Sequence, residues 1–191
     1  MILTICMIIL GDDNTQDMKP DFLKTDKKES FRTWGFRTLM NWYPMYLGTG
    51  GKVLFWASDS SEIHLRLGLN VWTRNYVGTI YGGSFFSASD PFYMVMLMRT
   101  LGKEFVVWDK TAHIRFRRPG KSRLYGVLKI GPDDLQNIRN QVKECGHASK
   151  TFSVRWVDKH GVVYAEIERQ CYIADKGFYE KRKGETQKAR F

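Results

Sequence analysis

The chain has 191 residues, 43% of them hydrophobic and 26% charged, with a formal net charge of +10. That length supports one domain with a proper core rather than two, and the mix is that of a soluble globular protein, not a disordered or fibrous one. Cys6, Cys145 and Cys171 form neither a disulfide framework nor a CxxC metal site, which points to a reducing, cytoplasmic setting.

The first ten residues, MILTICMIIL, are apolar but too short for a membrane span. They lack the basic flank and cleavage site of a signal peptide, and read as a leader, an extra packing segment or an unnatural start. Residues 12–30 are polar and charged, so 1–29 are expected to be leader and linker before a domain over 30–175. From Ser30 to Tyr46, Phe31, Trp34, Phe36, Leu39, Trp42 and Tyr43 fall near helical spacing, with Ser30 as cap and Pro44 and GTGG as the close. An amphipathic N-terminal helix is expected there. KVLFWAS reads as a strand. In EIHLRLGLNVW, Ile63, Leu65, Leu67, Leu69 and Val71 face one way and Glu62, His64, Arg66 and Asn70 the other, the pattern of a half-buried strand. After Gly82–Gly83 the segment to Leu101 is apolar nearly all round, which predicts a helix buried on all sides and ended by Gly102.

VVWDKTAHIRFRR alternates again, with Val106, Trp108, Ala112, Ile114 and Phe116 on the inward face and Asp109, Thr111, His113, Arg115 and Arg117 outward. PGKS is a turn, RLYGVLKI a strand with Leu124, Leu128 and Ile130 inward, and DDLQNIRNQVKE a short helix capped by Asp133. TFSVRWV and VVYAEIERQCYIA flank DKHG, a hairpin turn. A lone buried helix needs a sheet curved around it, because one flat face covers only one side. The expected fold is therefore α+β, an antiparallel sheet wrapped around one central helix. Residues 176–191 hold six basic and two acidic side chains, +4 of the total, and are expected to be a basic mobile tail. The other +6 suits an anionic partner, or marks only a basic soluble protein. Nucleic acid is disfavoured as that partner: the aromatics fit core positions of alternating strands, and no basic helix or exposed stacking pattern appears.

GTIYGG lacks the Lys and Ser/Thr of a P-loop, no G-x-S-x-G elbow is present, and no His, Cys, Asp or Glu cluster has metal-ligand spacing. What remains is NYVGTIYGGSFFSASDPFYMV, residues 75–95, whose Asp90 is the only acid between Glu62 and Glu104. Glycines at a strand-to-helix junction let another group approach the backbone, and N–H groups of a first helical turn suit a carbonyl oxygen that gains negative charge. Asp90 follows Gly83 by seven residues, about 10 Å along a helix. A carboxylate there orients a water or attacks a carbonyl, with burial raising its pKa. The local alternative makes Asp90–Pro91 an N-cap and N1 pair that starts a helix and leaves SFFSAS as loop. The apolarity of Phe85 and Phe86 favours a helix that runs through and bends at Pro91.

NYVGTIYGGSFFSASD resembles the N-x5-[H]-G-G-x6-D signature of hot-dog-fold acyl-CoA thioesterases, especially the phenylacetate-pathway type. RNYVGTIYGGS, DPFYM and WDKTAHIRFRRP are closer still to a related thioesterase-like family, over roughly residues 31–175. The resemblance implies a hot-dog fold and a thioesterase for an acyl-CoA or related thioester. It also implies a homodimer or dimer of dimers, and no cofactor beyond the coenzyme A moiety of the substrate. By position, Asp90 is the acid that orients water or attacks the thioester carbonyl. Gly83 and Gly82 supply backbone donors to that carbonyl, and Asn75 helps hold the reacting group. Tyr81 stands where the signature has histidine, and Ser84 follows the glycine pair. Arg115, Arg117, Arg118, Lys121 and Arg123 would take the phosphates of such a substrate, or form a solvated strand end. Met94, Met96, Met98, Phe85 and Phe86 would line an acyl tunnel, or be ordinary core. A non-catalytic acyl-thioester or lipid-binding protein on the same fold is the alternative function.

Overall fold

The computed structural model describes residues 20–188. Its elements are α1 (Phe31–Trp42), α2 (Pro44–Leu47), β1 (Gly51–Trp56), β2 (Glu62–Leu67), α3 (Gly82–Ser87), α4 (Phe92–Leu101), β3 (Phe105–Phe116), β4 (Leu124–Lys129), α5 (Pro132–Cys145), β5 (His147–Val157), β6 (Val163–Asp175) and α6 (Lys176–Lys188). The six strands form one antiparallel sheet in the order β1-β2-β4-β5-β6-β3. Phe92, Tyr93, Met96, Leu97 and Leu101 of α4 sink into a core floored by the sheet's inward residues, among them Ile63, Leu65, Leu128, Val154, Trp156 and Ile167. The expected helix against an antiparallel sheet is present.

Local chemistry explains the entries and exits. Ser30 Oγ accepts the Thr33 N–H at 3.2 Å while Thr33 Oγ1 accepts the Ser30 N–H at 3.0 Å, a capping box that starts α1. Asn41 then pins α1 to β1: its Nδ2 donates to Val53 O at 2.9 Å and its Oδ1 accepts the Val53 N–H at 2.7 Å. At the β5–β6 hairpin, Asp158 Oδ1 accepts the N–H groups of His160 and Val162, and Gly161 supplies the positive φ of 80°.

Several expectations are corrected. α4 is not buried all round: Met98 is exposed, and Arg99 lies over Phe36 at 5.0 Å with its Nε donating to Ser60 Oγ at 3.0 Å. β2 ends at Leu67, leaving Val71 exposed, and both of its faces are covered rather than one. The reason is the preceding stretch. Residues 20–29, expected as linker, lie against the outer face, where Phe22 meets Tyr125 edge-on and Thr25 Oγ1 donates to Glu62 Oε2 at 3.2 Å. Glu62 and His64 are buried there and joined at 2.6 Å. The inward phase of β3 begins at Val107, with Trp108 exposed, because a bulge between Asp109 and Thr111 shifts the register against β6. α5 is capped by Asp134, not Asp133: its Oδ2 accepts the Gly131 N–H at 3.2 Å. In α1 it is Phe36 and Met40 that reach the core, while Phe31, Trp34, Leu39 and Trp42 point outward. The stretch expected as a mobile tail carries helix α6 over Lys176–Lys188; residues 1–19, including the apolar opening, and 189–191 lie outside the described residues.

Candidate functional site

The stretch 75–95 folds as a loop, the short helix α3, a turn over 88–91 and then α4. The helix begins before Asp90 and is interrupted, not merely bent. Pro91 has no N–H to continue the ladder, so α4 starts afresh with the Val95 N–H on Pro91 O at 3.1 Å. Asp90 does not cap α4 with its side chain. The break leaves the last carbonyls of α3 without helical partners in the interior. Besides Ser89, whose Oγ donates to Phe86 O at 3.0 Å, three buried side chains from elsewhere in the chain meet them. Trp156 Nε1 donates to Phe85 O at 3.0 Å, Arg169 Nη2 to Phe86 O at 3.0 Å, and the Tyr46 hydroxyl to Ala88 O at 3.2 Å. The turn that holds Asp90 is thereby fixed from below by the core.

Arg169 is the centre of this arrangement. It is 1% exposed, its Nη1 donates to Asp90 Oδ1 at 2.7 Å and to Asp109 Oδ2 at 3.2 Å, and its guanidinium lies 4.3 Å over the Phe86 ring. Its Nε is buried with no acceptor among the described residues. Asp109 Oδ1 accepts the Cys171 thiol at 3.2 Å; burial, helped by the adjacent carboxylate, pushes that thiol up, so it remains a donor. The Asp90 side chain is 51% exposed, so the burial expected around it is not found in this chain. Its Oδ2 accepts no hydrogen bond among the described residues. One oxygen is clamped and the other is open.

At the other end of α3, Ser84 N–H is used by Tyr81 O at 3.0 Å, whereas the Gly82 and Gly83 N–H groups meet no acceptor among the described residues. Exposed aromatic rings crowd both glycines: a Cβ on Gly83 would fall 2.3 Å from the Tyr81 ring, which would have to turn aside, and one on Gly82 would come 3.0 Å from the Phe116 ring. Tyr81 is 61% exposed and covers Gly83. Asn75 is committed locally, its Nδ2 donating to Thr79 Oγ1 at 2.9 Å and its Oδ1 accepting the Thr79 N–H at 3.0 Å.

The basic cluster adjoins this entry, because the Ile80 N–H donates to Gly120 O at 2.8 Å and ties the 117–123 loop to the start of α3. Within the cluster, Arg117 grips Glu166 Oε2 through Nε and Nη2 at 2.9 and 2.6 Å, which holds the Glu166 carboxyl below its ordinary range. Arg118 Nη1 donates to Val163 O at 2.8 Å, and Arg115 and Lys121 are exposed. The expected tunnel set does not gather: Met94 is half-buried, Met96 buried and Met98 exposed. Phe85 packs in the core against Phe116 and Trp156, Ser84 is buried, and Phe86 lies under Arg169.

Sequence reasoning missed Arg169 and Asp109. The signal for the first was present: in the inward series Ala165, Ile167, Arg169, Cys171, Ile173 it is the lone charge. Asp109 was assigned outward by the phase error in β3; the register sets it opposite Cys171, on the inward face.

The family described as Domain of unknown function (DUF4442) matches residues 33–173. No curated protein sequence matches the chain. Among solved structures, a Pseudomonas aeruginosa protein, PA5026, described as a protein of unknown function and probable thioesterase, superposes with a TM-score of 0.65 at 20% identity, over 75% of this chain and 95% of that one. Thioesterase HI1161 from Haemophilus influenzae gives 0.57 at 10% identity, over 78% and 94%. Mutant thioesterase PA1618 from Pseudomonas aeruginosa gives 0.56 at 8% identity, over 74% and 93%. At such identities the likeness shows the fold, the α+β hot-dog arrangement of a six-stranded antiparallel sheet and its helix.

Proposed function

We propose that this chain, which belongs to the family described as Domain of unknown function (DUF4442), hydrolyses an acyl thioester, with acyl-CoA as the substrate class. The observation that carries the reading is Asp90: one oxygen is fixed by a buried guanidinium and the other is open to solvent. The thioesterase-fold neighbours support it through architecture alone, and the spacing of Asn75, the glycine pair and Asp90 favours the phenylacetate-pathway type within that superfamily.

In this mechanism Asp90 Oδ2 takes a proton from a water as the water oxygen attacks the carbonyl carbon, or attacks that carbon itself. The Gly82 and Gly83 N–H groups hold the carbonyl oxygen as it gains charge. The C–S bond breaks and the thiolate leaves with the proton that Asp90 took from the water, whose oxygen stays on the acyl carbon as the carboxylic acid. Where Asp90 itself attacks, water then opens the acyl–Asp90 anhydride, freeing the acid, restoring the carboxylate and supplying the thiolate's proton. The reading places the site between two copies, with the Asp90 of one facing the glycine pair of the other, as the homodimer implied by the resemblance would provide. The unpaired edge strand β3, with Trp108 exposed on it, suits such a homodimer. Tyr81 would donate its hydroxyl to the thioester, and Arg115, Arg117, Arg118 and Lys121 would meet the phosphates of the coenzyme. Asn75 would hold the loop into Tyr81 and reach substrate only by exchanging its Thr79 bonds. No cofactor beyond the coenzyme A moiety enters.

One observation favours the second reading, an acyl-thioester or lipid binder without hydrolysis: Arg169 already occupies one oxygen of Asp90. Thiol release and equilibrium binding, measured together on acyl-CoAs from acetyl to palmitoyl, separate the two. Hydrolysis of at least one chain length supports the esterase; tight binding with no release from any of them supports the binder.

A further inference from the structure

We infer that the outward face of α1 is an interfacial surface that seats this protein on an anionic phospholipid bilayer, a proposal that does not depend on the thioester reading. α1 buries Thr33 and packs Phe36 and Met40 toward the body. Its opposite face presents Phe31 at 84% exposure, Trp34 at 47%, Leu39 at 64% and Trp42 at 59%, at helical spacing, and Met45 and Leu47 extend the row on α2. Single exposed apolar residues are ordinary, but a continuous row on one rigid helix marks a surface that meets something apolar. The row is built into the fold. The Ser30–Thr33 box fixes its start, the paired Asn41 bonds to Val53 fix its end, and the Phe31 and Trp34 rings stack at 5.6 Å.

Charge selects the occupant. Residues 30–58 contain Arg32, Arg37 and Lys52 and no acid. Arg37 is taken up by Glu29, its Nε and Nη2 donating to Oε1 and Oε2 at 2.8 and 3.1 Å, so Arg32 is the exposed cation of α1 in a chain of net charge +10. Arg32 is exposed beside the aromatic row. Indole and phenyl rings flanked by a cation and by no carboxylate match the boundary between headgroups and acyl chains of an anionic leaflet. A second copy packed through the same face would bring the same residues, and no acid among them, to meet Arg32. No helix among the described residues is long and apolar enough to cross a membrane, so the attachment is to one leaflet.

The test is co-sedimentation of the full chain with phosphatidylcholine vesicles, with and without phosphatidylserine at roughly one lipid in three. The parent pellets with the anionic vesicles, and Trp34→Ser/Trp42→Ser weakens that partition at least about tenfold while its thermal unfolding stays unchanged. Phe31→Ser/Leu39→Ser, on the same face, gives the same loss and serves as the independent check should the tryptophan pair unfold. The proposal is overturned if the parent stays in the supernatant or if both variants pellet like the parent. It is equally overturned if removal of residues 1–19 abolishes binding that the variants retain. A change of oligomeric state in the variants, without vesicle binding by the parent, would assign the face to a second copy instead.

Discussion

Arg169 shows how one side chain ties the core to the surface. Its guanidinium is buried, so it must be met by acceptors, and Asp90, Asp109 and the Phe86 carbonyl supply them from three different elements. Replacing it with leucine leaves two carboxylates without their cation and takes one of its donors from the Phe86 carbonyl, which keeps Ser89. Arg169→Leu is expected to cost about 3 kcal/mol, the lower end for a broken buried pair because Asp90 and Asp109 are partly open to water. Urea unfolding measures it, and a loss below a few tenths would mean that the pairings do not hold the fold. Arg169→Lys keeps the charge but loses the fork that reaches Phe86 O and Asp90 together. The position of Asp90 was legible from its motif. Its partner was not, because Arg169 lies 79 residues on and meets it only through the strand order of the sheet.

Elements follow the same division between local and distant causes. α1 and its cap were readable, since Ser30 and Thr33 are three residues apart and act on each other. Ser30→Ala should remove about 1 kcal/mol of stability, seen as a lower urea midpoint with unchanged slope; no shift would show that the cap is redundant with the Asn41 bonds. The strands were readable by alternation wherever the register is regular. β3 was not, because its bulge is set by pairing with β6, and a one-residue slip exchanges the faces. The direction of the α1 row was not legible for a related reason: helical spacing shows which residues share a face, not which way that face points. The broken helix at 88–91 had its cause in view at Pro91, but the donors that make the break tolerable, Tyr46 of α2, Trp156 of β5 and Arg169 of β6, lie far along the chain.

For the whole molecule, acid stability is written in its ion pairs. Partial burial pushes the Asp59 carboxyl up, but hydrogen bonds from Lys27 Nζ at 2.6 Å and from Ser61 outweigh it and hold the group at about 2, below the ordinary 3.8. A depressed folded pKa gives stability that is present above the unfolded value and lost as pH falls through the folded one. The contribution of Asp59 therefore disappears between about pH 4 and pH 2, reinforced by Asp134 and Glu166, whose carboxyls are held down by Lys150 and Arg117. Asp59→Asn should flatten the fall of the urea midpoint over that window, and an unchanged slope would remove the pair from the acid response. The central claim concerns Asp90 in the assembled protein, and thiol release from the best acyl-CoA tests it most directly. Asp90→Asn keeps the shape and the place in the turn but removes the carboxylate. The account predicts that kcat/KM falls by about 10²-fold or more, with the fold intact by circular dichroism; equal rates in the parent and Asp90→Asn would contradict it.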